Sequence, residues 1–553
     1  MGQPIKSVTI VGGGTAGWMA ATLMRTLCKP DLRITLIESP TIATVGVGEA
    51  TVPNMPVTLR HMQIRDREFF RTCNATFKLG VMFRHWNVDR KGRFIDYING
   101  FNPAPAVEGS DIGYHYHAFG GGKRDFAQCF APSIDLVRQN KAPISLGQDK
   151  AGQGHVGYAY HLDAVKFAGL LADVGVKRGV THLRDDVDDV ELDDRGYVAA
   201  LKLRETGRHP VELVIDCTGF RALIINKALG EPFESYSDYL GNDRAMALQI
   251  PHPDPMKIAS ATSSTALGAG WSWRVPLFNR IGTGYVFSSA HRTDDQARDE
   301  FLAHLGSDAP KGAEPRIIPM RIGRSRRAWV KNCVALGLSS GFIEPLESTA
   351  IHMVDMGIRW LMTHFPDSDF ADAPRNRYNQ ISNAMFNEVR DFISLHYRLG
   401  NRTDDPYWID ARTELKISDL LAENLELWKR QLPGPLDLPS QQLFSHRVYQ
   451  AVLLGKQVYQ TGYGADFNWP FQLRRESWLK FLDQSAKFNA MALRHKADHR
   501  TALLAIRGEL EPSKPKAPSF PVAAGTVPLP GATVKASFKV REEVLDGSAP
   551  GLF

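Results

Sequence analysis

The chain has 553 residues, a formal net charge of +6, and hydrophobic and charged fractions of 43% and 23%. These are ordinary globular values, and the length allows more than one packed region with a sizeable core. Lysine and arginine are spread along the chain without a block of like charge, which argues against a nucleic-acid-binding surface. The five cysteines include no C-x-x-C pair, so we expect neither a disulfide framework nor a metal site. Without a signal-peptide pattern or an apolar run of spanning length, the sequence predicts a cytoplasmic protein that does not cross a membrane.

The N-terminal residues predict a dinucleotide-binding βαβ unit. A buried strand over residues 6–11 leads into a glycine turn that opens a helix, and a second strand ends at Glu38. Gly12 permits the tight turn, Gly14 lets the backbone approach a pyrophosphate, and Gly17 lets the helix pack against the sheet. The amides at the helix start bind the anion, and Glu38 accepts hydrogen bonds from ribose hydroxyls. The alternative is an ordinary glycine-rich turn. The predicted cofactor-binding residues are Gly12, Gly14, Thr15, Ala16, Gly17 and Glu38.

The rest of the chain predicts a change from α/β to mainly helical structure. The α/β alternation recurs over residues 158–225, and strands are predicted over 270–290. After residue 350, apolar residues repeat at helical spacing, and Ser418 is predicted to cap one of these helices. Residues beyond 510 are rich in proline and lack periodicity, which is typical of an extended tail. We therefore divide the chain into an α/β catalytic region over 1–350, a helical region over 351–510 and a tail over 511–553.

Five stretches of the sequence carry a resemblance to one family. They are, in chain order, GGGTAGW at 12–18, GVGEATVP at 46–53, FKLGVMF at 77–83, GWSWRVPL at 270–277 and GFIEPLESTA at 341–350. Together they resemble the flavin-dependent halogenases of the tryptophan halogenase family, whose W-x-W-x-I-P signature is matched with Val275 in place of isoleucine. The resemblance spans about residues 6–460. It implies an α/β, Rossmann-like FAD-binding fold of the monooxygenase type, with a mainly helical C-terminal region that completes the substrate site.

The resemblance implies chemistry in two places. FAD, supplied as FADH2 by a separate NAD(P)H-dependent reductase, would react with oxygen and chloride or bromide to give hypohalous acid. At a separate substrate site, Lys78 would capture the electrophilic halogen, and Glu347 would activate it or accept the ring proton. A lysine suits this role because burial lowers its pKa and makes it a nucleophile, and a carboxylate can take the released proton. The alternatives are a surface lysine with a snorkelling stem, and Glu344 in place of Glu347.

Further site residues match positions of the family. Beside the flavin, the resemblance places Val47, Gly48, Glu49, Gly219 and Leu338. Leu338 lies in a stretch, 334–345, that resembles the late flavin-contacting stretch of FAD monooxygenases, and it stands where those proteins usually have aspartate. The amides at the halide site match those of Thr349 and Ala350. The positions between flavin and substrate match Trp271, Trp273 and Ser348. There the two tryptophans would form a structural barrier; their alternative is an ordinary place in the core.

The substrate prediction rests on what the sequence has and lacks. His117 and Phe119 fit an H-x-F-G stretch that stacks on an indole ring, although His117 fits a core or loop histidine equally well. The segment 427–455 lacks the tyrosine pair and the Phe-Trp pair that accompany tryptophan binding, and Asp437 is its one acidic residue. Because an unpaired buried ammonium is costly, we expect a small aromatic substrate without the amino-acid group: indole, a substituted indole, a phenol or a pyrrole.

Two other functions remain open at this point. One is an FAD-dependent aromatic monooxygenase of the same broad fold, against which Lys78, Glu347 and the tryptophan pair together argue. The other is a non-catalytic FAD-binding protein, which the presence of both Lys78 and Glu347 disfavours. The sequence leaves the oligomeric state open, with a homodimer as one option.

Overall fold

The computed structural model of the chain describes residues 2–42, 48–102, 104–146, 156–440, 443–460 and 472–510. Val47 and the predicted tail over residues 511–553 lie outside these ranges. Met1–Leu510 cluster as one compact unit. Both regions predicted before residue 510 belong to that unit, and the boundary between them stays a prediction.

A six-stranded sheet forms the base of the N-terminal region. Its strands are β1 (Ser7–Val11), β2 (Arg33–Glu38), β10 (Thr181–Arg184), β14 (Leu213–Asp216), β22 (Trp329–Val330) and β23 (Cys333–Ala335). They lie in the order β10-β2-β1-β14-β23-β22, and all neighbours are parallel except β22 and β23. The central strands β1, β14 and β23 are almost entirely buried, as expected for a parallel sheet covered by helices on its faces. The predicted βαβ unit is therefore the centre of this sheet.

Three helices pack beside the parallel sheet. They are α1 (Thr15–Leu27), α6 (Ala164–Lys177) and α8 (Ala350–Thr363). Helix α1 contacts both α6 and α8, and its buried residues join a large apolar core with β1 and β2. Helix α8 therefore packs against α1 although it lies more than three hundred residues further along the chain.

A seven-stranded sheet forms the second layer. Its strands are β5 (Gly80–Val88), β6 (Phe94–Gly100), β16 (Arg244–Ile250), β17 (Thr262–Ala266), β18 (Gly270–Pro276), β19 (Ile281–Phe287) and β20 (Arg316–Pro319). Their order is β20-β16-β19-β18-β17-β5-β6, and only β17 and β5 are parallel neighbours. A second apolar core packs one face of this sheet against the C-terminal helices.

A small antiparallel sheet links the two layers. It consists of β3 (Gly48–Ala50), β9 (Ala159–Asp163) and β4 (Thr76–Lys78), with β9 in the middle. The remaining strands are β7 (Ala106–Val107), β8 (Ser110–Asp111), β11 (Val187–Leu192), β12 (Val198–Leu203), β13 (Gly207–Pro210), β15 (Phe233–Ser235), β21 (Gly323–Ser325) and β24 (Gly341–Phe342).

The C-terminal part is helical, as its periodicity predicts. The other helices of the chain are α2 (Met55–His61), α3 (Asp66–Thr72), α4 (Ile112–Phe119), α5 (Pro132–Arg138), α7 (Asp294–Leu305), α9 (Asp372–Arg398), α10 (Pro406–Thr413), α11 (Asp419–Leu427), α12 (His446–Gly455), α13 (Arg475–His495) and α14 (His499–Arg507). Ser418 caps α11 by accepting a 3.1 Å hydrogen bond from the Leu421 amide, which confirms the predicted cap. Across the described ranges, no helix combines the length and apolar character needed to cross a membrane.

Candidate active site

The three key glycines of the turn are required for different reasons. Gly12 has a φ of +120°, and a Cβ there would lie 2.2 Å from the Cys217 carbonyl oxygen. A Cβ on Gly17 would lie 1.9 Å from the Gly12 carbonyl oxygen, so this glycine permits the close approach of helix and turn. A Cβ on Gly14, in contrast, would meet no atom within 4 Å. Gly14 is thus the position at which the backbone is open to a ligand.

Glu38 ends β2 above the same turn. Its Oε2 lies 2.9 Å from Nε2 of His182, and its carboxyl group covers Gly13, where a Cβ would approach the carboxyl carbon to 2.2 Å. About 30% of the Glu38 side chain is exposed. The carboxylate is therefore held in place by His182 and still accessible to a ligand.

A cavity of about 680 Å³ begins at the glycine turn and runs towards the seven-stranded sheet. The structure brings most of the predicted cofactor and halide residues together on its wall. Those residues are Gly12, Gly14, Thr15, Ala16, Glu38, Gly48, Glu49, Gly219, Leu338, Ser348, Thr349 and Ala350. The predicted barrier residues Trp271 and Trp273 line the cavity as well. Val47 lies outside the described residues.

The cavity has the chemistry that a flavin dinucleotide requires. Its volume falls within the range of about 300–1,000 Å³ that is usual for ligand and cofactor sites. The open Gly14 and the N-terminus of α1 suit a pyrophosphate, and Glu38 suits ribose hydroxyls. Glu49 lies on the wall, and burial raises the pKa of its carboxyl group to about 7. The residues present therefore fit FAD.

Helix α8 begins at the cavity wall. Ser348 has the left-handed conformation, with φ 60° and ψ 37°, and Thr349 is the N-cap of the helix. First-turn amides have no acceptor within their own helix, and the helix dipole adds positive potential there. The backbone at Thr349 and Ala350 can therefore hold an anion, as the sequence predicts for the halide.

Lys78 lies behind this wall and is fully buried. Its Nζ donates a 2.9 Å hydrogen bond to the Thr51 carbonyl oxygen and lies 5.3 Å from the centre of the Phe101 ring. Burial lowers the pKa of Lys78 to about 7, although the charge of Glu347 opposes this shift. The surface alternative for Lys78 is therefore wrong, and a large share of the side chain is neutral near pH 7.

Glu347 is brought close enough to Lys78 for their charges to interact, although 269 positions separate them in the chain. Its Oε1 accepts a 3.4 Å hydrogen bond from Asn99 Nδ2 and lies 3.1 Å from Nε2 of His396. His396 is fully buried, and burial lowers its pKa while the Glu347 carboxylate raises it. Lys78 and Glu347 do not line the 680 Å³ cavity, although Ser348, which follows Glu347 in the chain, does.

Glu344 has different surroundings. Its two carboxylate oxygens accept hydrogen bonds from the Tyr397 hydroxyl at 2.5 Å and from Asn242 Nδ2 at 2.8 Å. Asn242 Oδ1 in turn accepts a 2.9 Å bond from the Tyr407 hydroxyl. This buried network ties β24 and its neighbours to α9 and α10. The geometry therefore favours Glu347 over Glu344 as the partner of Lys78.

The two signature tryptophans lie on β18. Their ring centres are 6.3 Å apart at an interplanar angle of 60°, and the Trp271 ring also contacts that of Trp86 at 6.5 Å. Both are more than nine-tenths buried and line the cavity. They are thus core aromatics and cavity wall at once, so the two alternatives do not exclude each other.

His117 and Phe119 lie on α4, away from the cavity wall. The His117 ring meets that of Tyr459 edge to face, with centres 5.3 Å apart. Tyr459 lies two positions before residues 461–471, which are outside the described ranges. The predicted stacking role of His117 and Phe119 stays a prediction.

Several residues of the site were not predicted. They are Thr51, Asn99, Phe101 and His396. Thr51 acts through its carbonyl group, which any residue type would provide. His396 is one residue of an amphipathic helical pattern, and nothing in its local sequence distinguishes it from a core histidine. Only the three-dimensional arrangement identifies these residues.

Known proteins that resemble this chain belong to one family. The family model for tryptophan halogenase matches residues 7–465. The chain is 38% identical over 447 residues to 7-chloro-L-tryptophan 6-halogenase KtzR of Kutzneria sp. (strain 744), covering 77% of this chain and 85% of the relative. It is 38% identical over 470 residues to tryptophan 6-halogenase SttH of Streptomyces toxytricini, covering 81% and 88%. Among solved structures, Tar14, a tryptophan C-6 flavin-dependent halogenase from taromycin biosynthesis, superposes with a TM-score of 0.84 at 34% identity, covering 91% of this chain and all of that one.

Proposed function

This chain belongs to the tryptophan halogenase family and is a flavin-dependent halogenase, and from this we propose that Lys78 and Glu347 transfer oxidised halogen to an indole-type arene. The observation that carries the proposal is the buried Lys78–Glu347 site next to, but outside, a cavity that fits FAD. The oxidant would then form in the FAD cavity, and the arene would react beside Lys78 and Glu347.

The cofactor proposal assigns a part of FAD to each group of wall residues. The turn at Gly12 and Gly14 would hold the pyrophosphate, Glu38 the ribose, and Glu49 and Leu338 the ring system. Reduced FAD, when bound, supplies with oxygen the oxidising power that converts chloride or bromide to hypohalous acid. The amides at Thr349 and Ala350 would hold the halide. A separate NAD(P)H-dependent reductase is the proposed source of FADH2, because the sequence has no second glycine fingerprint for a nicotinamide cofactor.

Lys78 and Glu347 have complementary tasks in the transfer. The neutral amine of Lys78 either hydrogen-bonds the hypohalous acid or attacks its halogen, while the Thr51 carbonyl holds the nitrogen in place. In the second case an N–halogen bond forms, the O–halogen bond breaks, and the hydroxide leaves as water with a proton from the amine. At the arene, a carbon–halogen bond forms, and the halogen's bond to nitrogen or oxygen breaks and leaves its electron pair on that atom. The ring proton goes to the Glu347 carboxylate and from there to the amine or hydroxide, so that the net products are aryl halide and water. Asn99 and His396 orient that carboxylate. Trp271 and Trp273 separate the flavin from the arene and so prevent direct oxygen transfer.

The substrate proposal concerns the amino-acid group. The relatives KtzR and SttH are named for halogenation of tryptophan or chlorotryptophan, which supports an indole ring as the substrate core. In this chain the carboxylate of Asp437 is already bound by Trp428 Nε1 at 2.7 Å and by the Gly434 amide at 2.8 Å. Both bonds end on Oδ2, and residues 427–455 contain no other acidic side chain. We propose an indole, or another small electron-rich arene, that lacks the amino-acid group.

The test supplies the enzyme with a flavin reductase, NADH, FAD, oxygen and bromide, and screens indoles, phenols and tryptophan by mass spectrometry. A bromine isotope pattern in the product supports the proposal, whereas an added oxygen atom indicates the aromatic monooxygenase alternative. Loss of product in Lys78→Ala with continued oxidation of reduced flavin supports the assigned role. An unchanged rate of bromination in that variant overturns it.

A further inference from the structure

Between the cavity and Lys78 lies a chain of hydrogen bonds whose direction can be determined. The Thr76 hydroxyl donates its one proton to the Pro276 carbonyl oxygen at 2.6 Å. Its oxygen is also 3.0 Å from Nδ1 of His161, so Nδ1 must carry a proton and donate it to Thr76. His161 Nε2 in turn lies 2.9 Å from the Thr262 hydroxyl oxygen. The proton on that last bond depends on the charge of His161.

His161 is neutral in this environment. The side chain is fully buried, and burial together with the charge of Lys78 holds its pKa well below the usual range. With Nδ1 protonated and the ring neutral, Nε2 has no proton and accepts from the Thr262 hydroxyl. Thr262 therefore has no proton left for the cavity and offers it only lone pairs.

These hydrogen bonds lie where the cavity wall approaches the strand that carries Lys78. Thr262 lines the cavity and retains 6% exposure. His161 lies on β9, between β3, whose Glu49 and Ala50 line the cavity, and β4, which carries Lys78. The wall between the two sites is thus built around His161.

We propose that His161 fixes the Thr262 hydroxyl as an acceptor-only group, which binds the O–H of neutral hypohalous acid and excludes halide ion on the path to Lys78. The inference rests on the proposed function. A halide ion has only lone pairs and would face the lone pairs of Thr262, whereas the amides at the start of α8 offer it donors. Hypohalous acid carries one O–H and can donate it. Thr262 is thus a specificity residue and His161 a positioning residue.

Ser264 provides a matched control. It lies two residues further on the same strand and lines the same cavity, yet within the described residues its hydroxyl has no hydrogen-bond partner. Its proton can rotate, so it does not present a fixed acceptor. Thr262→Val and Ser264→Ala each remove one hydroxyl from β17. Only the first removes a hydroxyl whose proton is held in one hydrogen bond.

The first measurement needs no flavin. Nitrogen-15 NMR of the full chain labelled at histidine, with His161 assigned through His161→Gln, is expected to show Nδ1 protonated and Nε2 unprotonated and hydrogen-bonded. In Thr262→Val the Nε2 signal is expected to move towards that of a free imine nitrogen, whereas Thr262→Ser and Ser264→Ala leave it in place. A protonated Nε2 in the wild type overturns the proposal.

The second measurement follows the halogen during turnover with a reductase, bromide and indole, using added taurine to trap escaping hypobromous acid. One lost hydrogen bond of about 0.5–1.5 kcal/mol corresponds to a rise of about two- to twelvefold in the trapped share for Thr262→Val, with Thr262→Ser close to wild type. An equal trapped share in Thr262→Val and Ser264→Ala overturns the proposal. If the wild type yields neither brominated product nor trapped bromine, the proposed function fails instead, and the NMR result still reports the direction of the chain.

Discussion

The Nζ of Lys78 donates a 2.9 Å hydrogen bond to the backbone carbonyl oxygen of Thr51. Thr51 directly follows β3, whose Glu49 and Ala50 line the cavity, so one short segment contacts both the cavity and Lys78. A carbonyl oxygen accepts a bond from an amine as well as from an ammonium group. The nitrogen therefore keeps its place in both protonation states.

Replacing Lys78 is expected to separate stability from activity. Lys78→Met removes a buried base but also the positive partner of Glu347, so the free energy of unfolding should rise by no more than about 2 kcal/mol at pH 7, while halogenation is lost and oxidation of reduced flavin continues. The pKa of Lys78 is lowered from 10.5 to about 7. The stability that the wild type lacks relative to Lys78→Met is therefore greatest below pH 7, and this difference disappears as the pH rises to 10.5. Urea unfolding of both proteins across this pH range measures the effect. A difference that grows with pH would contradict it.

The rate of halogen transfer should depend on pH through the same group. Because the pKa of Lys78 is about 7, the nucleophilic amine increases as the pH rises from 6 to 8. We expect the share of oxidised halogen that reaches the arene to rise across this interval in the wild type. Product and trapped halogen are quantified together, which removes the pH dependence of flavin oxidation. A share that falls as the pH rises would mean that the ammonium form is the active one.

The two buried glutamates should respond differently to the same substitution. Glu347→Gln removes the proton acceptor and is expected to lower kcat for indole by about 10²–10⁴-fold with little change in stability. Glu344→Gln disturbs the bonds from Tyr397 and Asn242 and is expected to cost about 1–3 kcal/mol of stability with a smaller loss of kcat. Thermal unfolding and steady-state kinetics on both variants decide the matter, and the opposite pattern would exchange the two roles.

The glycine turn offers a clean test of cofactor binding. Gly14 has a φ of −77° and free space around its Cβ position, so Gly14→Ala is expected to fold normally. The new methyl group would project to the ligand side of the turn and weaken FAD binding by about tenfold or more, which is about 1.4 kcal/mol. Gly12→Ala, by contrast, meets the Cys217 carbonyl and should destabilise the fold. Flavin fluorescence titration and circular dichroism measure the two effects; unchanged FAD affinity in Gly14→Ala would move the pyrophosphate elsewhere.

Substrate preference tests the missing amino-acid contacts. Because residues 427–455 lack the tyrosine pair and contain Asp437 as their one acidic residue, kcat/KM for indole is expected to exceed that for free tryptophan by about tenfold or more. Competition between the two substrates in one reaction, read by mass spectrometry, gives the ratio directly. Preference for tryptophan would place a partner for its ammonium group elsewhere, with residues 461–471 as the first segment to mutate.

Features that depend on neighbouring residues could be predicted from the sequence. The βαβ unit, the strands of the WSWRVP stretch and the cap at Ser418 all depend on residues within a few positions of one another. The parallel pairing of β17 with β5 could not be predicted, because nothing in either strand specifies a partner some 180 residues away. The surroundings of Lys78 follow from such pairings. Its chemistry was therefore predictable from its motif, but its contacts with Thr51 and Phe101 were not.

The left-handed residue Ser348 has a consequence for how this stretch of chain can vary in length. It stands between Glu347, which contacts Asn99 and His396, and the pair Thr349 and Ala350, which lines the cavity. Inserting or deleting a single residue here would send the carboxylate to the wrong side or withdraw the amides from the cavity. Any loop graft or chimera that crosses residues 345–350 must therefore transfer them as one uninterrupted block.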